Sequence, residues 1–341
     1  MFASALRPEY QRRLVWDDSR RSLFIESLLL NVPIPPVFLY EKDLSRYEVM
    51  DGQQRLNSVV DFYENKFPLR DLEIWSDLNG LLYKQLPETL QRGLDRRRIS
   101  ATVLLVEPAR ENESSKIDIR KLVFERLNTG GVHLRPQELR NCIYPGAFND
   151  LVIDLSADRV FTDIWQIPPH KNRAYVHGKT ASALRDNQLY RRMEDCELVL
   201  RFFALRDRAN IKGSVRSMLD RCMESGENAS VNQISTQRDD FRTRLDLARK
   251  IFGGGVFRYQ DDNGKSKLSH TLYDGVMVAL DRLWGERNSL LASKGRVVKA
   301  VESLLSRESA YEVIIGRPNT ARAVRKRINL LAKTIAAASG K

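Results

Sequence analysis

The chain has 341 residues, 42% hydrophobic and 29% charged, with a formal net charge of +12. That length allows one large or two ordinary domains with a substantial core, and the balance is that of a soluble globular protein. It excludes a membrane span, because the apolar runs are too short, and a disulfide or zinc framework, because Cys142, Cys196 and Cys222 stand far apart with no CxxC pair. Met1-Phe2-Ala3-Ser4 lacks the charged-then-apolar order of a secretory signal. The cytoplasm is therefore the expected compartment, with all three thiols buried and structural. The basic balance predicts attraction to polyanions such as nucleic acid or nucleotides.

Residues Arg7 to Trp16 form a polar, aromatic entry segment. It reads either as a surface arm anchored by Trp16 or as a segment in which Gln11 and Arg12 complete a pocket. An apolar helix follows over Leu23 to Leu30, with Asp17, Asp18 or Ser19 as cap. Val32-Pro33-Ile34-Pro35-Pro36 ends it, since proline cannot continue a helix. Val37 to Tyr40 is then a strand, Glu41 to Arg46 a polar hairpin-like loop, and Tyr47 to Met50 the return strand.

The return strand runs into Asp51-Gly52-Gln53-Gln54-Arg55. Directly after it, Leu56, Val59, Val60 and Tyr63 recur at i, i+3, i+4 and i+7, one apolar face of a helix. Asp51 and Gly52 thus lie on a strand-to-helix turn and Gln53 to Arg55 in the first helical turn. Unpaired backbone N–H groups and the positive end of the helix dipole point outward there. Gly52 permits a sharp bend or a close approach to a ligand, and Arg55 offers a planar fork suited to phosphate. Asp51 has three candidate roles: capping the helix, holding a metal ion or orienting a water. The combination suggests an anion site for a nucleotide. The competing reading is an ordinary cap and turn with a solvated arginine.

Phe67, Leu69, Leu72, Ile74 and Trp75 suggest short strands, and Leu82, Leu86 and Leu90 short helices. Arg98 to Glu107 is the clearest strand pattern, and its apolar run predicts a central position buried on both faces. After the charged loop Arg110 to Lys116, Ile119, Leu122, Val123 and Leu127 mark a helix that stops at Asn128-Thr129-Gly130-Gly131. Pro136 opens a further helix through Asn141.

From about residue 145 strand signals fade. Helices are predicted over Leu189 to Ala204, Ser214 to Met223, Phe241 to Ile251, Leu272 to Trp284 and Val297 to Leu305. Gly253-Gly254-Gly255 reads as a flexible connection. Asp261-Asp262-Asn263-Gly264 reads as a turn, because it lacks the alternation and the terminal glutamate of a calcium loop. The tail from Gly316 to Lys341 carries seven cations and no acid. It is expected to be a solvated helix face, with nucleic-acid contact as the alternative. His170 and His177 flank a short basic stretch without a second ligand cluster, so a surface loop is expected there rather than a metal site.

Several motifs occur in a fixed order: Tyr10-Gln11-Arg12, Trp16, Pro33-Ile34-Pro35-Pro36, Asp51-Gly52-Gln53-Gln54-Arg55-Leu56, Phe124 to Gly131, and Leu134 to Asn141. In this the chain resembles the DGQQR family, the N-terminal domain of GmrSD-type modification-dependent restriction endonucleases, across about residues 7 to 150. The resemblance implies an α+β fold with a ParB/sulfiredoxin-like mixed core over residues 1–145. A helical domain with a basic C-terminal tail would follow over 146–341. It further implies nucleoside-triphosphate binding or hydrolysis in an anti-phage or restriction system. Asp51, Gln53, Gln54 and Arg55 would be the catalytic turn, with Gly52 beside the phosphates and Gln11 and Arg12 as neighbours. Arg126, Asn128, Gly130, Gly131, Gln137, Glu138 and Arg140 would face the same cleft, although Asn128 to Gly130 is equally explained as a helix C-cap.

In this scheme Arg55 and Arg12 neutralise phosphate oxygens, Gln53 or Gln54 positions the attacking water, and Asp51 or Glu138 binds Mg²⁺. Which of the four nucleoside triphosphates is used stays open. The family's fused nuclease half is not evident: His133, His170, His177 and His270 show no HNH-like spacing. A partner nuclease chain, DNA and a second copy of the chain are the expected partners. The alternatives are a non-enzymatic DNA-binding protein with a degenerate core, or a core that nicks DNA itself.

Overall fold

The fold, obtained as a computed structural model, is described for residues 16–43, 46–105, 135–144, 146–170, 183–184, 186–261, 263–316 and 318–340. The chain divides into two compact units, Met1–Ile143 and Tyr144–Lys341. The first mixes helices with a small sheet and the second is almost wholly helical, so the protein is of α+β type.

In the first unit, α1 (Asp18–Leu29) starts where the Asp17 carboxylate accepts the Arg20 N–H at 2.8 Å. It ends before the prolines, with Asn31 turned into the left-handed region at φ 59°. Strands β1 (Val37–Asp43) and β2 (Arg46–Asp51) pair antiparallel, and β1 pairs parallel with β3 (Ala101–Leu105). The sheet order is β2-β1-β3. The expected polar loop of residues 41–46 is therefore largely strand. Helix α2 (Gln53–Tyr63) leaves the end of β2, and α3 (Glu88–Asp95) and α4 (Pro136–Ile143) follow later in the chain. The expected helix over 119–127 and its glycine stop lie outside the described residues.

Two expectations for this unit are corrected. The strand signal of Arg98 to Glu107 yields β3, but among the described residues it lies at the edge of the sheet, with Val103 40% and Leu105 69% exposed. An apolar run shows that a strand pairs; it does not show whether a second neighbour arrives, and β2 takes the far side of β1. Residues 67–75 are not strands. Glu26, 4% exposed, accepts the backbone N–H groups of Glu73, Ile74 and Trp75 at 3.2, 2.9 and 2.8 Å. One carboxylate thus satisfies donors that a neighbouring strand would otherwise take. Phe67, Leu69 and Leu72 drop into a core with Phe24, Ile25, Leu28 and Phe62. Alternate burial of an irregular segment imitates a strand's period of two.

The second unit holds α5 (Ala147–Ser156), α6 (Arg159–Trp165), α7 (Gln188–Arg191), α8 (Glu194–Arg206), α9 (Val215–Gly226) and α10 (Val231–Phe252). The hairpin β4 (Arg258–Gln260)–β5 (Ser266–Leu268) is followed by α11 (His270–Arg282), α12 (Arg287–Ala292), α13 (Lys294–Leu305), α14 (Glu308–Ile315) and α15 (Ala321–Ser339). The single helix expected over 189–204 is broken at Met193, which is left-handed at φ 54°. Cys196, Val199, Leu200 and Phe203 do form its buried stripe. Gly253–Gly255 is a 3₁₀ turn closing α10 rather than an open connection. Asp261 makes the tight turn of the β4–β5 hairpin, its carboxylate accepting the N–H groups of Asn263 and Lys265.

The C-terminal tail is corrected most. Helix α15 buries Val324, Ile328, Leu331 and Ile335 completely and packs across α11, where a Cβ on Gly275 would fall 2.3 Å from Leu331. The tail is a wall of the core, and only one of its sides is solvated. Among the described residues, no helix is long and apolar enough to cross a membrane.

Candidate functional site

The Asp51–Arg55 turn is shaped by one residue that must be glycine. Gly52 is the N-cap of α2 at φ +96°, a left-handed conformation. A Cβ there would also lie 2.5 Å from Val37 Cγ1 on β1 and 3.2 Å from Arg55 Nη2. Conformation and close approach both demand a bare α-carbon. No side chain caps α2, so Asp51 is not its cap. The first helical hydrogen bond runs from Leu56 N–H to Gly52 C=O at 2.9 Å, which leaves the Gln53 and Arg55 N–H groups without an intrahelical partner.

Arg55 fastens this turn to the proline segment. Its Nη2 donates to Asp51 Oδ2 at 2.8 Å and to the Pro36 carbonyl at 3.2 Å, and its Nη1 donates to the Pro35 carbonyl. The guanidinium is 12% exposed and the Asp51 carboxylate 46%. One arginine therefore joins the entry to β1, the end of β2 and the first turn of α2. Of its five N–H donors three are occupied in this way and two remain.

The face that α2 buries is polar. Gln53, Gln54, Asn57, Ser58 and Asp61 are buried with Phe62, whereas Leu56, Val59, Val60 and Tyr63 are only half-buried. The periodicity argument found the helix; of its apolar face Val59 and Tyr63 pack on the core and stay half-buried, while the fully buried face is the polar one. The missed signal was the polar repeat Gln53, Asn57, Asp61 at four-residue spacing. Gln54 Oε1 accepts the Trp16 N–H at 3.2 Å, tying the entry segment to the turn. Asp61 pairs with Arg21 at 2.5 Å and with Lys66 at 3.1 Å, and the Arg21 guanidinium lies 3.9 Å from the Phe67 ring centre. Gln53 makes no side-chain hydrogen bond among the described residues.

The second motif forms a buried polar network on α4. Gln137, Glu138, Arg140 and Asn141 are each at most 4% exposed. Glu138 accepts the Arg135 N–H at 2.7 Å, Gln137 donates to Asn141 at 3.1 Å, and Arg140 donates to Gln137 at 3.3 Å. Gln11, Arg12, Arg126, Asn128, Gly130 and Gly131 lie outside the described residues, as do His133 and His177. His170 is placed by a hydrogen bond to the Pro168 carbonyl at 3.0 Å and an edge contact with Tyr190. No group of three or more His, Cys, Asp or Glu side chains able to hold a metal occurs among the described residues. Asp51, half-exposed and with only Oδ2 engaged, fits a Mg²⁺ ion held mainly by phosphate and water, because that ion commonly takes one or two protein carboxylates.

Comparison with known families matches residues 3–145 to the family described as GmrSD restriction endonuclease, N-terminal domain. This segment is a GmrSD N-terminal domain. No curated protein and no solved structure matches the chain.

Proposed function

We propose that the GmrSD N-terminal domain of this chain binds a nucleoside triphosphate at the Asp51–Arg55 turn and hydrolyses it with Mg²⁺, gating a restriction or anti-phage activity. One observation carries this reading: an uncapped helix start is presented on a glycine that admits no Cβ and is braced by an arginine with donors to spare. A loose phosphoryl-transfer transition state asks for positioning and charge neutralisation rather than covalent chemistry. The N–H groups of the first turn of α2 receive phosphate oxygens. Arg55 keeps the turn rigid and turns its two remaining donors to the same oxygens. Gln53, rather than Gln54 with its bond to Trp16, orients the attacking water. Mg²⁺ on Asp51 would supply further charge neutralisation.

Gln11 and Arg12, together with Arg126, Asn128, Gly130, Gln137, Glu138 and Arg140, are assigned to the same cleft through the family motif. The hairpin–helix–parallel-strand order β1-β2-α2-β3 supports a ParB/sulfiredoxin-like core. DNA cleavage is assigned to a partner nuclease chain, since the four histidines lack HNH spacing.

The test is phosphate release with each ribonucleoside triphosphate and Mg²⁺, for the wild type beside Arg55→Ala and Gln53→Ala. Both variants should lose about 100-fold in rate with unchanged melting of the second unit. Wild-type turnover in both would refute the assignment. A second reading, nucleic-acid binding without hydrolysis, is favoured by the exposed cations Arg322, Lys326 and Lys333 on α15. It expects salt-steep DNA binding that survives Arg55→Ala and needs no nucleotide.

A further inference from the structure

The helical unit contains a cavity of about 760 Å³ between the end of α8, the 207–213 loop, α9 and the start of α10. Its size is within the range of small-molecule sites. One wall is aromatic: Phe148 and Phe203 meet edge to face at 5.6 Å. Phe148 reaches that position because residue 226 is glycine; a Cβ there would lie 2.2 Å from its ring. The lining also includes Gln233 and Gln237. Gln237 Oε1 is occluded from solvent and has no hydrogen-bond partner. An acceptor without accessible surface meets a ligand only if the Gln237 side chain turns into the cavity.

Two cations line the same cavity with donors to spare. Arg221 spends its Nε and Nη2 on Asn210 and on the Asn210 and Lys212 carbonyls, which leaves Nη1. Lys212 is exposed and has no described partner. Arg206, by contrast, is committed to Asp240 and Asp281 and serves as a fixed wall.

The 207–213 loop that lines the cavity borders a basic track. The 207–213 loop is bonded to the start of α15 through Ala321 N–H to Gly213 C=O and Arg325 to Ile211 C=O. Arg282 donates to Asn329 on α15 at 2.8 Å and lies close enough to Arg208 to feel its charge. Arg322, Lys326 and Lys333 share the Asn329 side of that helix by their spacing of four, three and four residues. None of Arg208, Lys212, Arg322, Lys326 and Lys333 has a carboxylate partner among the described residues. The cavity is also lined by Asp207 and by Asp281, the latter paired with Arg206 and Arg244; a row of cations without carboxylate partners leading to its aromatic and amide wall suits a chain of phosphates bearing bases.

We infer that this cavity receives one base of a single-stranded nucleic acid, with Lys212 and Arg221 on its phosphate and the Gln237 side chain turning to accept a hydrogen bond from the base. The inference rests on the nucleic-acid reading above and adds a site to it; it does not depend on hydrolysis at the Asp51–Arg55 turn.

The test uses the full chain and a short single-stranded oligodeoxynucleotide with one central 2-aminopurine. Binding should weaken with salt and fall by about tenfold or more in Arg208→Glu/Lys212→Glu. The 2-aminopurine should brighten on binding as it leaves the stack. Gln237→Leu and the mouth-filling Ala209→Trp, each checked by melting, should remove the brightening while retaining most of the affinity. Competition by free adenosine monophosphate as strong as by the oligonucleotide would support the cavity's nucleotide chemistry and identify the free nucleotide as its source. Wild-type binding in the charge-reversed protein, or brightening that persists in both cavity variants, overturns the inference alone. No binding of any oligonucleotide at low salt overturns it together with the nucleic-acid reading.

Discussion

In the helical unit Arg201 and Asp274 meet inside the core. Asp274 is fully buried, and the bidentate pair raises the affinity of Arg201 for its proton against the opposing effect of burial. In the N-terminal unit Arg55 and Asp51 meet at the rim of a turn, with the carboxylate nearly half exposed. The two pairs share their chemistry and differ in surroundings. The buried pair holds helices α8 and α11 together, and each partner is costly without the other. The rim pair is worth little as an ion pair; what it fixes is the shape of a backbone segment that has to stay open. Arg327 extends the contrast. It is completely buried in the helical unit; its Nε and Nη2 donate to the carbonyls of Val313, Gly316 and Pro318, and its Nη1 is buried without a partner.

The largest effect should separate the two pairs. Asp274→Ala strands a buried guanidinium and should cost the helical unit about 3–5 kcal/mol in urea unfolding. Asp51→Ala should cost its own unit about 0–1 kcal/mol. Arg201→Met with Asp274→Leu should recover much of the first loss, since replacing both partners by apolar groups leaves no orphan charge. Equal losses for Asp274→Ala and Asp51→Ala would erase the distinction. Next in size is Gly52→Ala. It adds a Cβ at φ +96° against Val37 and should cost about 1–3 kcal/mol of backbone strain. Because the strain falls where α2 begins, phosphate release should drop in this variant more than it does in a surface control of equal stability loss.

The order of motifs made the turn legible. A strand, a glycine and a helix start can be read from Tyr47 to Tyr63, and the structure has all three. The buried face of α2 was not legible in the same way, because hydrophobic periodicity assumes that what is buried is apolar. Arg21 and Trp16, distant in sequence, give Asp61 and Gln54 their partners. Glu26 was equally hidden: as one acid in an apolar helix, its service to three N–H groups depends on a loop nearly fifty residues away. In the helical unit α5, α6, α12 and α14 were not read, whereas the approximate positions of α8, α9, α10, α11 and α13 followed from their stripes. That α15 would be a core wall did not, because its charge run outweighed Val324, Ile328, Leu331 and Ile335 in the reading. Gln237 and the cavity are contacts between segments, which no single window contains.

The contrast extends to protons at the sites they occupy. Cys222 lines the cavity, and burial, with Asp207 nearby, pushes its thiol up to about 12. It should react far more slowly than a free thiol with an alkylating reagent at pH 8, and unfolding in urea should abolish the protection.

The smallest effect concerns His270 at the start of α11. It is half-buried, edge-on to Trp165 at 5.3 Å, and faces Arg201, Asp274 and Glu197. Burial, assisted by the Arg201 charge, lowers its pKa below the ordinary histidine value, and the two carboxylates only partly oppose this. The folded protein then binds that proton less tightly than the unfolded chain does. The contribution to stability is complete above the unfolded value of about 6.5 and is lost as the pH falls below it, because the unfolded state takes up the proton first. Urea unfolding of the wild type between pH 7.5 and 5 should therefore lose more stability than that of His270→Gln, with the other histidines and the carboxylates common to both. An identical pH dependence in the two proteins would show that His270 titrates as it does in water and that the Arg201–Asp274 pair does not reach it.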